Sequence, residues 1–500
     1  MTLKELLTGL VFTSNKPACE NELSINGLAL DSREIIAGKV FIALEGANQH
    51  GLVHVEQAIN NGACAVIFDP AGGGKQLAEL INNVPMIAVD NLGQFIGEIA
   101  IRFYGNPSQS IDVIGITGTN GKTSCSQFLG QLLDECGIIG TLGWGEWGRL
   151  NKTLNTTPDA LSVQQILTHL LNEQKQTVAM EVSSHGLAQG RVNGVTFKGA
   201  VFTNISRDHL DYHGTMEAYL QAKLTLLTKP GLAFVVLNLD DTTSDRIIAA
   251  TPDTAAIWGI SINGKTLTTG ENLQADQIVH KANGIEFNVH WQAHCQRITI
   301  PLYGDFNIEN VLLVLAVMLA MRLDFTEAIG RLAKIKPVDG RMERFGGNDQ
   351  PLVFVDYAHT PDALDKVLSS LRKHCKQALW VVFGCGGNRD TGKRPLMGAC
   401  AEQWADYLII TDDNPRFENS EAIIKDILSG CHSNKIEVMQ NRALAIQNAI
   451  GKAEKSDCIV IAGKGHEDYQ EINGIRLPFS DRDIVVKALQ KKASEFTTLM

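Results

Sequence analysis

The sequence lacks several features that would assign it to other classes of protein. Its ten cysteines include no Cys-x-x-Cys pair, a pattern that fits buried thiols in a reducing cytoplasm. The longest fully apolar run, from Val311 to Met321, is too short to span a bilayer and predicts a buried helix. The segment from Met1 to Phe12 carries Glu5 within a short amphipathic pattern, so we expect no signal peptide.

An excess of positive charge is also lacking. The formal net charge is −11 at pH 7, whereas general binding to nucleic acid or to anionic membranes needs a basic surface. We therefore expect small-molecule partners, no nucleic acid and no membrane insertion. An anionic substrate would have to be held by local arginines and lysines.

What is present is an ordinary globular composition, with 44% hydrophobic and 20% charged residues over 500 positions. This length exceeds the natural size of one hydrophobic core and favours three domains. We place these domains at residues 1–90, 91–337 and 338–500, with a linker in the segment from Pro337 to Arg341.

The most informative segment is a candidate phosphate-binding loop. A buried apolar strand from Val113 runs into the residues Thr117-Gly118-Thr119-Asn120-Gly121-Lys122-Thr123-Ser124, and an amphipathic helix follows. In such a loop the backbone N–H groups and the helix N-terminus face phosphate oxygens, the lysine neutralises phosphate charge, and the Thr hydroxyl can hold Mg²⁺. The segment predicts binding of a nucleoside triphosphate, and an ordinary surface turn is the alternative.

The loop departs from the usual pattern in its spacing. Four residues usually separate the first glycine from the Gly-Lys pair, which would require glycine where this chain has Ile116. The loop here is the shorter Gly118-x-x-Gly121-Lys122-Thr123. The residues that we predict on one face of the following helix are Cys125, Phe128, Leu129, Leu132, Leu133 and Cys136.

Buried strands followed by polar loops recur along the chain in two series. The first series follows the phosphate loop and leads into short β-rich runs from about Ala255 to Ile300 and a helix from Ile308 to Arg322. The second series has strands that end at Val355, Phe383, Ile410 and Ala462. Loops at the carboxyl edge of parallel strands are where open α/β sheets bind ligands. We predict an α/β fold with a central, mainly parallel ATPase-like sheet, a Rossmann-like C-terminal domain and a smaller N-terminal α/β domain.

Two polar residues near strand ends of the first series are candidate metal ligands. Glu181 closes a buried strand and can ligate Mg²⁺ that bridges nucleotide phosphates, although a helix cap or an ion pair is the alternative. His209 lies in a dense polar run from Thr203 to Gly214 and can help hold a second cation. A hydrogen-bonded loop histidine is the alternative there, because the spacing is no zinc signature.

Four further candidates are less specific. From composition alone Lys223 is an exposed lysine in a helical stretch from Met216 to Leu227. Arg389 and Arg416 each follow a turn at a strand end, where the guanidinium fork suits a carboxylate, although each is equally well a surface arginine. The segment from Gly463 to Glu467 is either an anion or ammonium site or a plain turn.

Taken together, these residues resemble the Mur ligase family over nearly the whole chain. The shortened Gly-Thr-Asn-Gly-Lys-Thr loop is similar to the ATP motif of that family. The other blocks that carry the resemblance, in order, are residues 181–186, 304–310 with Asn307 and Asn310, 340–343 and 357–362.

Two more blocks narrow the resemblance. Asn155-Thr156-Thr157-Pro158 and Asp413-Asn414-Pro415-Arg416 are similar to those of the family members that add diaminopimelate as the third peptide residue of the peptidoglycan precursor. Diaminopimelate carries a second carboxylate that Arg416 can clamp, and lysine-adding relatives lack this arginine. A lysine side chain would leave the guanidinium unpaired in a closed cleft, at a cost of about 1–3 kcal/mol.

The resemblance also implies roles for individual residues. The UDP-sugar-binding domain is N-terminal, the ATP-binding domain central and the amino-acid-binding domain C-terminal. ATP would be bound by Gly118, Thr119, Asn120, Gly121, Lys122, Thr123, Ser124, Asn307 and Arg341. The UDP-muramoyl-dipeptide would be bound by Leu30, Ser32, Asn155, Thr156, Thr157, Ser183, Gln189 and Arg191. The block at residues 46–51 is the weakest match, because relatives have related but different residues between its glycines. Diaminopimelate would be bound by Arg389, Asp413, Asn414, Pro415, Arg416, Gly463 and Glu467.

For the chemistry, the resemblance implies an ATP-dependent ligase that phosphorylates the D-glutamyl γ-carboxylate to an acyl phosphate, which the diaminopimelate amine attacks. The implied catalytic residues are Lys122, Glu181, His209 and Lys223, with Lys223 carbamylated by CO₂. The implied magnesium ligands are Thr123, Glu181, His209 and the Lys223 carbamate. We expect a monomer.

Three alternatives remain at this point. One is a relative that adds L-lysine or another residue to the precursor, which Arg416 argues against. The second is a folylpolyglutamate synthetase, whose phosphate loop would lie closer to the N-terminus. The third is a partner-driven NTPase switch or motor, in which the second α/β series would have no role.

Overall fold

A computed structural model describes residues 1–15, 23–46, 49–81, 83–281, 283–375, 377–433 and 436–498, with the backbone alone for 495–498. Part of the weakly matched block at residues 46–51, namely Ala47 and Asn48, lies outside the described residues. The described strands are β1 Thr13–Ser14, β2 Gly27–Ala29, β3 Lys39–Ala43, β4 Ala65–Phe68, β5 Met86–Ala88, β6 Asp112–Thr117, β7 Cys136–Gly140, β8 Gly143–Glu146, β9 Arg149–Asn151, β10 Thr177–Glu181, β11 Phe197–Phe202, β12 Phe234–Asn238, β13 Ala256–Ser261, β14 Glu271–Lys281, β15 Gly284–Trp291, β16 His294–Ile300, β17 Glu343–Gly346, β18 Leu352–Asp356, β19 Leu379–Phe383, β20 Tyr407–Ile410, β21 Ile436–Val438, β22 Cys458–Ala462, β23 Tyr469–Ile472 and β24 Ile475–Pro478.

The described helices alternate with these strands over most of the chain. They are α1 Leu3–Leu6, α2 Val55–Asn60, α3 Gly74–Ala78, α4 Leu92–Tyr104, α5 Lys122–Leu132, α6 Ala160–Asn172, α7 Ser184–Ala188, α8 Leu210–His213, α9 Met216–Leu224, α10 Ser244–Ala250, α11 Asp305–Ala320, α12 Phe325–Leu332, α13 Pro361–His374, α14 Lys393–Trp404, α15 Ser420–Leu428, α16 Arg442–Lys452 and α17 Asp481–Thr498. None of the helices in the described ranges has the length and hydropathy needed to cross a membrane.

The chain divides into two compact units. The first comprises residues 1–115, 134–198 and 228–232, and the second comprises residues 116–133, 199–227 and 233–500. Within the described residues the strands form sheets of five, eleven, six and two strands. The three larger sheets confirm the α/β fold with three domains, whereas the domain boundaries at residues 90 and 337 stay predictions.

The first unit contains the five-stranded sheet, in the order β1-β5-β4-β3-β2. Strands β2 to β5 run parallel, because the helices between them return the chain to the same edge, and only β1 is antiparallel. Apolar side chains cover both faces, with Val40 and Ile42 in one core and Phe41 in the other. This two-sided burial is typical of a parallel sheet covered by helices.

The eleven-stranded sheet contributes strands to both units. In the first unit β10 and β7 are parallel, and β7, β8 and β9 continue as antiparallel neighbours. In the second unit β11, β12, β13 and β14 are parallel, and β14, β15 and β16 are antiparallel. The predicted β-rich run from about residue 255 to 300 is therefore confirmed: it comprises β13, which pairs in parallel, and the antiparallel strands β14 to β16 at the end of this sheet.

The six-stranded sheet of the second unit has the order β17-β18-β22-β19-β20-β21. In its parallel register Asp356 and Phe383 both lie opposite Ala462, and Phe383 lies opposite Ile410. The four predicted polar loops therefore leave the sheet at one edge, as the sequence pattern indicated.

Of two helices predicted from the sequence, one is confirmed and the other is shorter than predicted. The apolar run after Val311 is buried within α11, as predicted. The helix after the phosphate loop, however, ends at Leu132, so the assignment of Leu133 and Cys136 to its face was wrong. Glu135 adopts a left-handed φ of 47°, and Cys136 begins β7. The helical spacing of apolar residues continued past the end of α5 by coincidence, because the buried strand β7 that follows also consists of apolar residues.

Candidate active site

Two glycines give the phosphate loop its shape. Gly118 has a φ of 144°, and a Cβ there would lie 1.9 Å from Thr203 Oγ1. Gly121 has a φ of 88°, and a Cβ there would lie 2.5 Å from Asn310 Oδ1. Only glycine fits either position, because both the backbone conformation and the available space exclude a side chain. Helix α5 begins directly after the loop at Lys122, so its first N–H groups face the concave side where a phosphate would bind.

A neighbouring strand end holds the backbone of the loop. Thr119 N donates to Asn204 O at 2.7 Å, and Asn120 N donates to Asn204 Oδ1 at 3.0 Å. The amide of Asn204 also donates to Asn120 O at 3.1 Å. The side chain of Asn120 reaches the C-terminal part of the unit, where it donates to Asp362 Oδ2 at 3.2 Å. The loop is thus fixed before any phosphate binds.

Two lysine amines converge on one carbonyl of this loop. Lys122 Nζ donates to Gly118 O and Thr119 O, both at 2.8 Å, and Lys223 Nζ donates to Gly118 O at 2.7 Å. Lys223 is 1% exposed, so the prediction from composition that it is an exposed helix lysine was wrong. Burial, followed by the charge of Lys122, holds the pKa of Lys223 well below its ordinary value. A buried amine whose charged form is disfavoured therefore lies beside the phosphate loop.

The predicted helix around Lys223 is also shorter than expected. Helix α9 ends at Leu224 and passes into a 3-10 turn over Thr225–Thr228. The hydroxyl of Tyr219 lies 3.1 Å from Thr119 Oγ1, and the Lys223 amine lies 4.6 Å from the centre of the same ring. These contacts fasten the lysine-bearing helix to the phosphate loop.

A cluster of titratable residues lies on the loop after Asn204. His209 has a left-handed φ of 54°, and its Nε2 is 3.2 Å from Asp208 Oδ2. Burial would raise the pKa of Asp208, but the nearby His359, His209 and Lys393 lower it overall. Desolvation and then Lys393 lower the pKa of His359 to about 4, so this histidine is neutral at pH 7. A carboxylate that orients a histidine in this way is a common support for a metal ligand.

The other residues predicted to bind the nucleotide include two, Asn307 and Arg341, that lie later in the chain than the loop. Arg341 Nη2 donates to Thr123 Oγ1 at 3.2 Å, and its guanidinium lies 4.2 Å from the centre of the Tyr357 ring. Asn307 donates to Tyr303 O at 2.7 Å and accepts from Asn310 Nδ2 at 3.2 Å. Ser124 is buried in the first turn of α5. The structure therefore brings Gly118 to Ser124, Lys223 and Arg341 together.

A second polar site lies at the carboxyl edge of the six-stranded sheet. Lys464 is fully buried, and its amine donates to Asn414 Oδ1 at 3.0 Å and to Glu467 Oε2 at 2.9 Å. Asn414 Nδ2 also donates to Glu467 Oε2 at 2.9 Å. Gly463 has a φ of 116°, and a Cβ there would lie 2.5 Å from Asp413 Oδ2. Two segments about fifty positions apart in sequence form one closely bonded cluster.

The two predicted arginines belong to adjoining loops of this site. Arg416 follows Pro415, has a left-handed φ of 52°, and donates from Nη1 to Gly387 O at 2.8 Å. Arg389 is exposed, and its Cγ would lie 3.9 Å from a Cβ on Gly386. Arg416 Nη1 would lie 2.9 Å from the same Cβ, so both side chains border Gly386. A guanidinium group is suited to binding a carboxylate.

Most of the remaining predicted residues meet in the first unit. Both carboxylate oxygens of the fully buried Glu181 face Thr141, whose N donates to Oε1 and whose hydroxyl lies near Oε2, each at 3.0 Å. Thr157 Oγ1 donates to Glu181 O at 2.9 Å and accepts from Ser183 N at 2.9 Å. The hydroxyl of Thr156 lies 3.1 Å from that of Thr141.

The adjoining arginine and glutamine complete this cluster. Arg191 Nη1 donates to Thr157 O at 2.8 Å, and its Nε donates to Gln189 Oε1 at 2.9 Å. Asn155, which precedes Thr156 in the sequence, is exposed. Ser32 instead donates to Gln57 Oε1 at 2.7 Å, and the neighbouring Leu30 is half-buried.

A cavity of about 440 Å³ lies in the same unit, next to Gln189. Polar residues from the ends of β3, β4 and β5 line one side of it, and the segment after α7 lines the other. The lining polar residues are Glu45, Asp69, Asn91, Gln94, Gln189 and Asn193. Its size is that of a ligand-binding pocket.

Several residues of these sites could not be found from the sequence. Lys464 looked like one residue of a turn, and Thr141 carried no signal at all. Arg442 forms a fully buried ion pair with Asp481 and donates to the strand-end carbonyls Ala462 O and Asp412 O. It thereby ties together two loops of the C-terminal site. A solitary Arg in a helical pattern gives no hint of such a role.

No group of three His, Cys, Asp or Glu side chains in the described ranges is arranged to hold a metal ion. A cation at the phosphate loop would therefore need phosphate oxygens and a hydroxyl among its ligands. Buried Thr123 and the carboxylate of Glu181 are oxygen donors of the kind that Mg²⁺ prefers.

The fold and these sites define a nucleotide-binding α/β protein with a second polar site at a parallel sheet edge. Three models of the Mur ligase family match successive parts of the chain: the "Mur ligase family, catalytic domain" at residues 24–104, the "Mur ligase middle domain" at 116–318, and the "Mur ligase, glutamate ligase domain" at 340–465. The chain belongs to the Mur ligase family and is an ATP-dependent ligase.

Individual relatives agree with this assignment. The chain is 45% identical over 479 residues to a UDP-N-acetylmuramoyl-L-alanyl-D-glutamate–2,6-diaminopimelate ligase from Pseudomonas aeruginosa, covering 95% of this chain and 96% of that one. A solved structure of a ligase of the same name has a TM-score of 0.68 and 35% identity, with 99% of both chains covered. A MurF ligase from Thermotoga maritima in complex with ADP shares the fold at a TM-score of 0.65 and 17% identity, covering 95% of this chain and 99% of that one. The alternative of a partner-driven NTPase was wrong.

Proposed function

We propose that the protein joins meso-2,6-diaminopimelate to the D-glutamyl γ-carboxylate of UDP-N-acetylmuramoyl-L-alanyl-D-glutamate during peptidoglycan precursor synthesis in the cytoplasm. The observation that carries the proposal is the 45% identity, over 95% of the chain, to a ligase of that name. Three sites support it, because each offers the groups that one substrate requires. They are the phosphate loop for ATP, the loops of Arg389 and Arg416 for diaminopimelate, and the polar residues around Thr157 for the UDP-muramoyl-dipeptide.

The chemistry must first activate a carboxylate, since its oxygen is a poor leaving group. ATP transfers its γ-phosphoryl group to the γ-carboxylate, and the amine of diaminopimelate then displaces phosphate from the acyl phosphate. Two anions must approach one another in the first step. Lys122 and the N–H groups of the loop reduce that repulsion, with Gly118 to Ser124, Asn307 and Arg341 holding the nucleotide.

The residues present fit a magnesium ion and a carbamate. We assign Thr123, Glu181, His209 and carbamylated Lys223 as the metal ligands. A neutral amine is the form that adds to CO₂, and the lowered pKa of buried Lys223 favours that form. When bound, Mg²⁺ neutralises phosphate charge during transfer.

For the amino acid, we assign Arg389, Asp413, Asn414, Pro415, Arg416, Gly463 and Glu467 as the binding residues. Arg416 offers a guanidinium to the distal carboxylate, and Glu467, held by Asn414 and Lys464, offers a carboxylate to an ammonium group. The UDP-muramoyl-dipeptide is assigned to the first unit, where Leu30, Ser32, Asn155, Thr156, Thr157, Ser183, Gln189 and Arg191 lie. We assign residues 1–90, 91–337 and 338–500 to UDP-sugar, ATP and amino-acid binding, in a monomeric enzyme.

A three-arm reaction tests the proposal. The protein is incubated with ATP, Mg²⁺ and UDP-N-acetylmuramoyl-L-alanyl-D-glutamate, together with meso-diaminopimelate, L-lysine or no amino acid. Product mass and phosphate release are measured in each arm. We expect a tripeptide product with diaminopimelate alone. Product with lysine would keep the ligase and overturn the substrate assignment, and phosphate without any coupled product would overturn the ligase reaction.

The assignment of Arg416 predicts a selective loss in Arg416→Lys. The planar guanidinium of arginine can donate to Gly387 O and to a substrate carboxylate at once, whereas a lysine amine cannot present its N–H groups in that geometry. We therefore expect kcat/KM for diaminopimelate to fall about a hundredfold in this variant. Any turnover of L-lysine should change far less. Arg322→Lys, at an exposed arginine just after α11, is the matched control and should behave like the wild type. Equal losses with both amino acids would refute the clamp.

A further inference from the structure

The two-stranded hairpin β23–β24 packs against the loop Asp413–Arg416. Gln470 Nε2 donates to Asp413 O at 2.7 Å, and Glu471 N donates to Asn414 Oδ1 at 2.9 Å. Arg416 N donates to Glu471 O at 3.0 Å, and Asn473 N donates to Arg416 O at 2.7 Å. Four hydrogen bonds therefore join this hairpin to three residues of the loop, Asp413, Asn414 and Arg416.

The hairpin explains the unusual backbone of Arg416. A non-glycine residue seldom adopts a left-handed φ, here 52°, unless its surroundings impose it. Both backbone polar groups of Arg416 are bonded to the hairpin, and the residue forms an isolated parallel bridge with Ile472. The hairpin thus determines the direction in which the Arg416 side chain leaves the loop.

The side chain of Arg416 is held from two sides. Its Nη1 donates to Gly387 O at 2.8 Å, and its Nε lies 3.6 Å from Glu471 Oε2. The exposed fractions of the Arg416 and Glu471 side chains are 20% and 19%, so both are largely removed from water. A guanidinium that is hydrogen-bonded at Nη1 and faces a carboxylate at Nε has a restricted orientation, which its remaining N–H groups share.

We propose that Glu471 is a positioning residue for Arg416, and that the β23–β24 hairpin thereby sets the preference for an amino acid with a distal carboxylate. This inference rests on the proposed function and deepens it. Glu471 does not touch the substrate. It holds the guanidinium in the plane in which a second carboxylate can be bound by two parallel N–H groups.

The proposal makes a prediction about the pair Glu471→Ala and Glu471→Gln. Alanine removes the acceptor facing Nε, so the guanidinium must be ordered during binding, and we expect KM for meso-diaminopimelate to rise about tenfold. The kcat value and the KM for ATP should stay within about twofold of wild type, because the phosphate loop is untouched. Glutamine retains an acceptor oxygen at the same reach and should restore KM to within about threefold of the wild-type value.

The experiment measures steady-state kinetics of the full-length wild type, both Glu471 variants and Ile475→Thr, with UDP-N-acetylmuramoyl-L-alanyl-D-glutamate and ATP saturating. Ile475 is 62% exposed on the same hairpin and is the matched control. A wild-type KM in Glu471→Ala would overturn the inference while the proposed function stands. If KM rose as much in Glu471→Gln as in Glu471→Ala, the inference would be overturned as well. The charge of Glu471, and not its positioning of the guanidinium, would then cause the loss. A wild type that forms no tripeptide with diaminopimelate would overturn the proposed function and this inference with it.

Discussion

Lys122→Ala is expected to lower kcat for tripeptide formation by about a thousandfold or more. The Lys122 amine lies at the mouth of the phosphate loop, 2.8 Å from both Gly118 O and Thr119 O. A bound triphosphate offers stronger acceptors than these carbonyls. Its charge offsets the repulsion between phosphoryl group and carboxylate, which is greatest in the transition state.

This variant should still fold. The amine donates to carbonyls of the loop itself, and the side chain is partly exposed. Phosphate release and tripeptide mass are the measurements, with thermal unfolding as the check on folding. Lys198→Ala removes a lysine that is 45% exposed and serves as the control. Activity near the wild-type level in Lys122→Ala would remove the loop from the mechanism.

Sites built from contiguous residues could be predicted from the sequence. The phosphate loop, the Asp413–Arg416 loop and the Gly463–Glu467 loop each carry their chemistry within a few positions. Each also follows a run of buried apolar residues, and parallel strands place such loops at one edge of a sheet. The strand-end pattern therefore predicted which polar segments would meet in the C-terminal domain.

The partners that hold those loops could not be predicted. Asn120 and Asp362 are 242 positions apart, and their hydrogen bond depends on how the C-terminal segment returns to the phosphate loop. The hairpin that fixes Arg416 reads as two short polar strands with exposed apolar residues. Nothing in its own sequence indicates that it packs against residue 416. Such pairings depend on tertiary structure, which local pattern does not encode.

Lys223 shows the same limit most clearly. Helix α9 has no strong separation of apolar and polar faces, so its pattern gives no reason to bury one lysine among its neighbours. The burial arises because Tyr219 and Lys223, one turn apart, both contact the phosphate loop. The resemblance to the family singled out this residue where the residue pattern did not.

Lys223→Ala is expected to reduce kcat by about a thousandfold, comparable to the loss in Lys122→Ala. The change removes the only group on α9 that reaches Gly118 O among the described contacts. It also removes the amine whose carbamate we assign to the metal. Because the deleted side chain is fully buried, a space of its size remains beside the loop.

That space provides a sharper test than the loss alone. A small carboxylate such as acetate can enter it and supply the two oxygens of the missing carbamate, so acetate should restore part of the rate in Lys223→Ala. Lys223→Met fills the space with an apolar chain of similar length, so this variant should stay inactive when acetate is added. Gln221→Ala changes an exposed residue of α9 and should be active in the absence of acetate. The rate is measured against acetate concentration for all three variants. If acetate restored the rate of Lys223→Met, or if Lys223→Ala lost no activity, Lys223 would not act through a carbamate. If acetate restored the rate of Lys223→Ala alone, the reaction would require an anionic oxygen at this position.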